Sequence, residues 1–128
     1  MKKLFASLVT GFLLFIAFPA GANANYRLQI VYQDSPKAKS VFWQLSCNPA
    51  GGNHPQPNLA CKEIKRAVSP FKKPANDEIC TKIYGGPQQA TVTGTWAGKK
   101  VNRKFTRTNG CGLNRWQQLQ VTLSGKVK

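Results

Sequence analysis

The sequence predicts an α+β domain, and three observations carry that expectation. Several short segments alternate apolar and polar residues with the period of two that a half-buried strand requires. One segment, beginning near Asn58, repeats apolar residues at helical spacing instead. Proline, glycine and turn-forming residues punctuate the chain between them, with no internal repeat, low-complexity tract or second domain.

The elements follow in chain order. Lys2 and Lys3 precede an apolar stretch from Leu4 to Phe18, and Ala22-Asn23-Ala24 supplies the small-x-small pattern of a signal-peptidase site. Residues 1–24 are therefore expected to be a signal peptide, and residues 25–128 the mature domain. The apolar run is short for a bilayer and is interrupted by Ser7, Thr10 and Gly11, which favours export, secreted or periplasmic, over a membrane span. Leu28, Ile30 and Tyr32 then alternate with polar residues, Asp34-Ser35-Pro36-Lys37 supplies a turn, and Val41, Trp43, Leu45 and Cys47 alternate again. This pattern predicts an antiparallel pair of strands.

The segment from Asn48 to Asn58 holds three prolines and two glycines and is expected to be a stiff loop. A helix follows, with Asn58 as its candidate cap, Ala60, Ile64, Ala67 and Val68 on one face, and Lys62, Lys65 and Arg66 on the other. Pro70 and Pro74 mark a second loop, Ser69 to Asn76. After Pro87, Ala90, Val92, Gly94 and Trp96 share one parity, Ala97-Gly98-Lys99 suits a tight turn, and Val101, Arg103, Phe105 and Arg107 share the next. Leu119, Val121 and Leu123 predict a last strand.

Four cysteines, Cys47, Cys61, Cys80 and Cys111, lie in the 104 residues after the leader. An even count in an exported chain favours two disulfides, and spacing alone leaves three pairings open. No two cysteines show C-x-x-C spacing, so no zinc site and no other metal or cofactor is expected. Without Lys2 and Lys3 the formal charge of +15 becomes +13. That balance attracts polyanions and acidic protein faces without choosing among them.

Acid/base catalysis has little to draw on. The chain has one histidine, His54, and four acids, Asp34, Glu63, Asp77 and Glu78, which excludes a two-histidine nuclease. His54 sits between Asn53 and Pro55, where a ring that fixes a turn through hydrogen bonds is the expected role. Asp77 and Glu78 are adjacent and would point to opposite sides of an extended segment. No phosphate loop or nucleophile elbow appears, and no enzyme is expected.

The segment Cys47-Asn48-Pro49-Ala50-Gly51-Gly52-Asn53-His54-Pro55, with Ala60-Cys61 after it, resembles the signature of the Streptomyces subtilisin inhibitor family of secreted serine protease inhibitors. Gly94-x-Trp96-x-Gly98-x-x-Val101 and Asn109-x-Cys111 are similar to that family's second half. The resemblance runs from about Val41 to Cys111. It implies a twisted antiparallel sheet packed with one or two helices, disulfides Cys47–Cys61 and Cys80–Cys111, and a homodimer formed through the sheet.

It also implies a reactive bond two residues beyond the third cysteine, Lys82-Ile83, with Lys82 as primary specificity residue. Ile79, Cys80, Thr81 and Tyr84 would contact the protease, and Asn109 would support the loop. A lysine offered to a pocket that ends in a carboxylate selects trypsin-like targets, and the hydrophobic flanks leave subtilisin-like ones open. Partners are thus serine proteases, with no nucleic acid expected. Several positions depart from the family pattern: Thr81 replaces a common proline, Gly85-Gly86-Pro87 is one residue longer than usual, and Arg107 stands where a phenylalanine is usual. The first two departures predict a looser loop. The competing reading is a cationic binding module that uses Lys99, Lys100, Arg103, Lys104 and Arg107 on polyanions or an acidic envelope partner.

Overall fold

The computed structural model describes residues 23–127, so the predicted leader, residues 1–24, lies almost wholly outside the described residues. Five antiparallel strands form one sheet in the order β3-β2-β1-β4-β5. They are β1 (Tyr26–Gln33), β2 (Val41–Ser46), β3 (Gly51–Gly52), β4 (Gln89–Trp96) and β5 (Lys99–Thr106). Three helices complete the domain, α1 (Pro57–Arg66), α2 (Gly110–Gln118) and α3 (Gln120–Ser124).

Alternation does what the sequence predicts on the central strands. Leu28, Ile30 and Tyr32 of β1 are buried, and in register with them lie Leu45, Trp43 and Val41 on β2 and Gly94, Val92 and Ala90 on β4. Because successive side chains point to opposite faces, Gln29, Val31, Phe42, Thr91 and Thr93 belong to the other, open face. Ala97 and Gly98 both adopt left-handed backbone (φ 49° and 76°), the type I′ geometry whose twist matches a two-residue hairpin between β4 and β5.

Helix α1 starts one residue earlier than expected, and Asn58 is not its cap. Pro57 occupies the first turn, where its fixed φ and missing N–H carry no penalty, and Gln56 caps the helix without a side-chain bond. Ala60, Cys61 and Ile64 turn inward, while Val68 falls beyond the helix end and is 84% exposed. A predicted face residue thus lies outside the element.

The last predicted strand is a helix. Leu119, Val121 and Leu123 are buried, but so are Thr122 and Ser124 beside them, so α3 is enclosed on nearly every side and shows no helical stripe. Two side-chain bonds at helical spacing hold the turn, Trp116 Nε1 to Gln120 Oε1 (3.0 Å) and Gln120 Nε2 to Ser124 Oγ (3.1 Å). Its first N–H groups would be orphaned at a buried helix start, and Glu63 of α1 accepts from two of them, Val121 (3.1 Å) and Thr122 (2.8 Å). Trp116, Leu119 and Leu123 thereby close the core over the inner face of the sheet.

Candidate functional site

Residues 78 to 88 form an irregular segment between the second loop and β4. Its side chains face solvent: Ile79 is 97% exposed, Ile83 58% and Tyr84 65%, with Thr81 and Lys82 exposed between them. With these five positions facing water, only the Cys80 side chain, half-buried between Ile79 and Thr81, turns inward. Its order must come from the backbone and the crosslink.

Three ties supply that order. The Cys80–Cys111 disulfide, 31 residues apart in sequence, joins the segment to the first turn of α2. The Gly110 N–H donates to the Thr81 carbonyl at 2.9 Å. On the other side, the Gly85 N–H donates to the Arg107 carbonyl at 2.7 Å. Thr81 and Gly85 are therefore clamped by the same turn, residues 107 to 110, and Lys82, Ile83 and Tyr84 arch between the clamps.

The residues expected to loosen this segment are the ones it is tied by. A side chain on Gly85 would run into Leu113 of α2, and one on Gly110 would run into Thr81 Oγ1. At each glycine a side chain could be added only if that neighbouring side chain moved aside. The turn itself is set by Asn109, whose Oδ1 accepts from Gly112 N–H at 2.9 Å and caps α2. Asn109 thus acts on the helix start that carries Gly110 and Cys111.

Electrostatic ties add to these. Arg115 of α2 grips the Glu78 carboxylate through two nitrogens, at 2.6 Å and 3.2 Å, just before Ile79. The Arg115 hydrogen bond holds the Glu78 carboxyl below its usual value of 4.5. Arg107, in place of the expected phenylalanine, lies over the Trp116 ring at 5.8 Å and donates to Gln88 Oε1 at 2.8 Å. Phe105, on β5 two residues earlier, is buried in the core. The Glu78–Arg115 pair spans 37 residues and the Arg107–Trp116 contact depends on α3-linked packing, so no local pattern in the sequence announced either.

The Cys47–Cys61 disulfide, 14 residues apart, closes the other loop and leaves no free cysteine among the described residues. His54 is only 3% exposed there. Its Nδ1 accepts from Gln56 N–H (3.0 Å) and its Nε2 donates to the Thr122 carbonyl (3.0 Å), with the Trp43 ring edge-on at 5.1 Å. Burial pushes its pKa below 6.5, against the pull of these bonds, so the ring is neutral and has no nitrogen left for a substrate proton. Three of the four acids are also engaged in the fold, Asp34 with the Tyr32 hydroxyl (2.7 Å), Glu63 with α3 and Glu78 with Arg115.

The five cations of the competing reading do not share one face of the strand. Lys100 and Lys104 alternate with Arg103 along β5 and so lie on opposite faces of the strand, and Arg107 is held over Trp116.

Several known proteins are similar to this chain in sequence. Kexstatin-1 of Streptomyces platensis is 36% identical over 74 residues, covering 55% of this chain and 50% of that protein. Subtilisin inhibitor-like protein 1 of Streptomyces cacaoi is 33% identical over 87 residues, covering 64% of this chain and 76% of its own length. The chain thus spans half of the first relative and about three quarters of the second. Among solved structures, Streptomyces caespitosus sermetstatin in complex with Bacillus licheniformis subtilisin matches 70% of this chain and 89% of its own, at 22% identity and a TM-score of 0.45. The model of the family described as "Subtilisin inhibitor-like" matches residues 23–111, which takes in all five strands, α1, the clamped segment and both disulfides. On that match, the chain belongs to the subtilisin inhibitor-like family.

Proposed function

We propose that this chain is a protein inhibitor of serine endopeptidases that presents Lys82-Ile83 as a substrate-like bond. The observation that carries this reading is the clamp: an exposed stretch tied at Thr81 and Gly85 by one turn and at Cys80 by a disulfide. A peptide already held at both ends loses less conformational entropy when a protease binds it. Lys82 is the primary specificity residue, and its ammonium on a four-carbon stem suits a pocket with a buried carboxylate, hence trypsin-like targets. Ile79, Cys80, Thr81 and Tyr84 contact the protease on either side, an apolar pattern that also suits subtilisin-like enzymes. Asn109 supports the loop by fixing the start of α2.

The test is a titration of trypsin with the oxidised domain. Near-stoichiometric loss of activity is expected, and Lys82→Glu should remove it with the fold intact. Rapid digestion at Lys82 without inhibition would overturn the proposal.

Two further statements rest on the same reading. The chain is exported, secreted or periplasmic, with cleavage after Ala24, and a mature protein whose first residue is not Asn25 would refute that boundary. It also forms a homodimer through the open face of the sheet, where Phe42 is 57% exposed near Val31. Sedimentation should give twice the monomer mass, and Phe42→Glu should halve it. A monomeric wild type would remove the dimer and leave the inhibitor reading untouched.

A further inference from the structure

The tip of the β4–β5 hairpin and the loop after α1 form a concave site of about 310 Å³. Phe71 and Lys72 line one side, and Trp96, Lys99 and Lys100 the other. Its floor is aromatic, for the Phe71 and Trp96 rings meet at 6.1 Å and the Tyr26 ring meets Trp96 edge-on at 5.0 Å. Phe71 and Trp96 are only partly buried, so apolar ring surface remains open to a ligand. No acidic residue lines the cleft, and three of the chain's four acids are engaged by other groups of the fold.

An occupant must therefore offer both apolar faces and negative charge in a small volume. We infer that the cleft binds an acidic oligosaccharide, with sugar rings that carry sulfate or carboxylate groups. The C–H face of a sugar ring can lie on Phe71 or Trp96, and its anionic substituents reach Lys72, Lys99 and Lys100 by charge-assisted bonds. A single-stranded nucleic acid is less well matched. It needs successive stacking platforms along a groove, whereas the Phe71 and Trp96 rings lie 63° apart and the lysines ring one hollow.

The site is at the far end of the hairpin from the clamped segment. Lys82 precedes the start of β4 at Gln89, and Trp96 ends that strand seven residues beyond Gln89, a span of about 23 Å at strand rise. Both sites can be filled together. The chain can be retained on an acidic glycan while its exposed segment stays free for a protease. This inference does not depend on the inhibitor reading.

Calorimetry of residues 25–128 with a sulfated heparin hexasaccharide, at about 0.15 M salt where long-range attraction is screened, tests it. Lys99→Glu/Lys100→Glu should weaken binding by about tenfold or more, while Lys62→Glu/Lys65→Glu, the same change of charge on α1, should change it by less than about twofold. Phe71→Ala, which keeps every charge, should also weaken it. No binding, equal loss in the two charge variants, no effect of Phe71→Ala, or tighter binding of a single-stranded oligonucleotide through Lys99 and Lys100 would each overturn the proposal. Saturating hexasaccharide should leave the trypsin titration point unchanged, and competition between the two would refute simultaneous occupancy.

Discussion

Two loops of this domain are each tied by a disulfide, and they are ordered in opposite ways. The loop between Cys47 and Cys61 is held by what it puts inside: Cys47, His54 and Cys61 are all buried, and His54 spans to the carbonyl of Thr122 on α3. The segment after Cys80 is held by its main chain and keeps its side chains out. The same crosslink chemistry thus serves two ends. Where side chains provide the anchoring, substitution is felt as lost stability. Where backbone does, side chains can vary in response to a partner while the shape persists.

Lys82→Glu is the sharpest probe of that division. It reverses the charge offered to a carboxylate-ended pocket, so trypsin inhibition should fall at least about a thousandfold, as for loss of a buried charge pair. The melting temperature should not move. A shift of several degrees would show that Lys82 also carries fold.

The two disulfides come next. Replacing Cys47 and Cys61 by alanine should lower stability by about 3 kcal/mol, and replacing Cys80 and Cys111 by about 4 kcal/mol, from the loop lengths they close. Denaturant unfolding measures both. The first pair should leave the inhibition constant of the folded fraction near wild type, whereas the second should turn the chain into a substrate cut at Lys82. Equal effects on inhibition would break the comparison.

His54→Ala should be smaller, about 2 to 3 kcal/mol, because it leaves the Gln56 N–H and the Thr122 carbonyl unpaired in a buried site. Its pH dependence has a definite sign. The folded pKa lies below 6.5, so the unfolded chain takes up the proton first. Wild-type stability should therefore decline as pH drops below about 6.5, the unperturbed histidine value, and level off beneath the folded pKa. His54→Gln should lack that step in a pH series of unfolding curves.

The smallest expected effect is at Gly85. A methyl there meets Leu113, the end of a flexible side chain, so Gly85→Ala should cost about 1 kcal/mol and weaken inhibition by about tenfold. Unchanged inhibition would mean that the Arg107 clamp tolerates displacement.

Much of the sheet was legible because its central strands bury one face and alternate cleanly, as Leu28, Ile30 and Tyr32 do. α1 was legible from Ala60 and Ile64, with its start displaced by a proline that serves equally as loop or first turn. α3 was not, because Leu119 to Ser124 is too short for its period to be resolved and is buried throughout. Its stabilising partner, Glu63, lies 58 residues away. The clamped segment was found through its cysteine and lysine, but its backbone ties were not. Thr81 and Gly85 look free when only their own φ preferences are counted, and their hydrogen bonds come from a turn some 20 to 30 residues later.

The spacing of the two clamps has a further consequence. A cut between Lys82 and Ile83 would leave the new carboxylate one residue beyond the Thr81 tie and the new amine two residues before the Gly85 tie. Neither end could diffuse away, and their mutual effective concentration would stay on the order of millimolar or higher. In the protease's own active site, re-forming the bond would then compete with release. Intact and nicked chains would settle into an equilibrium, and the lifetime of the complex would be set by departure of the whole domain.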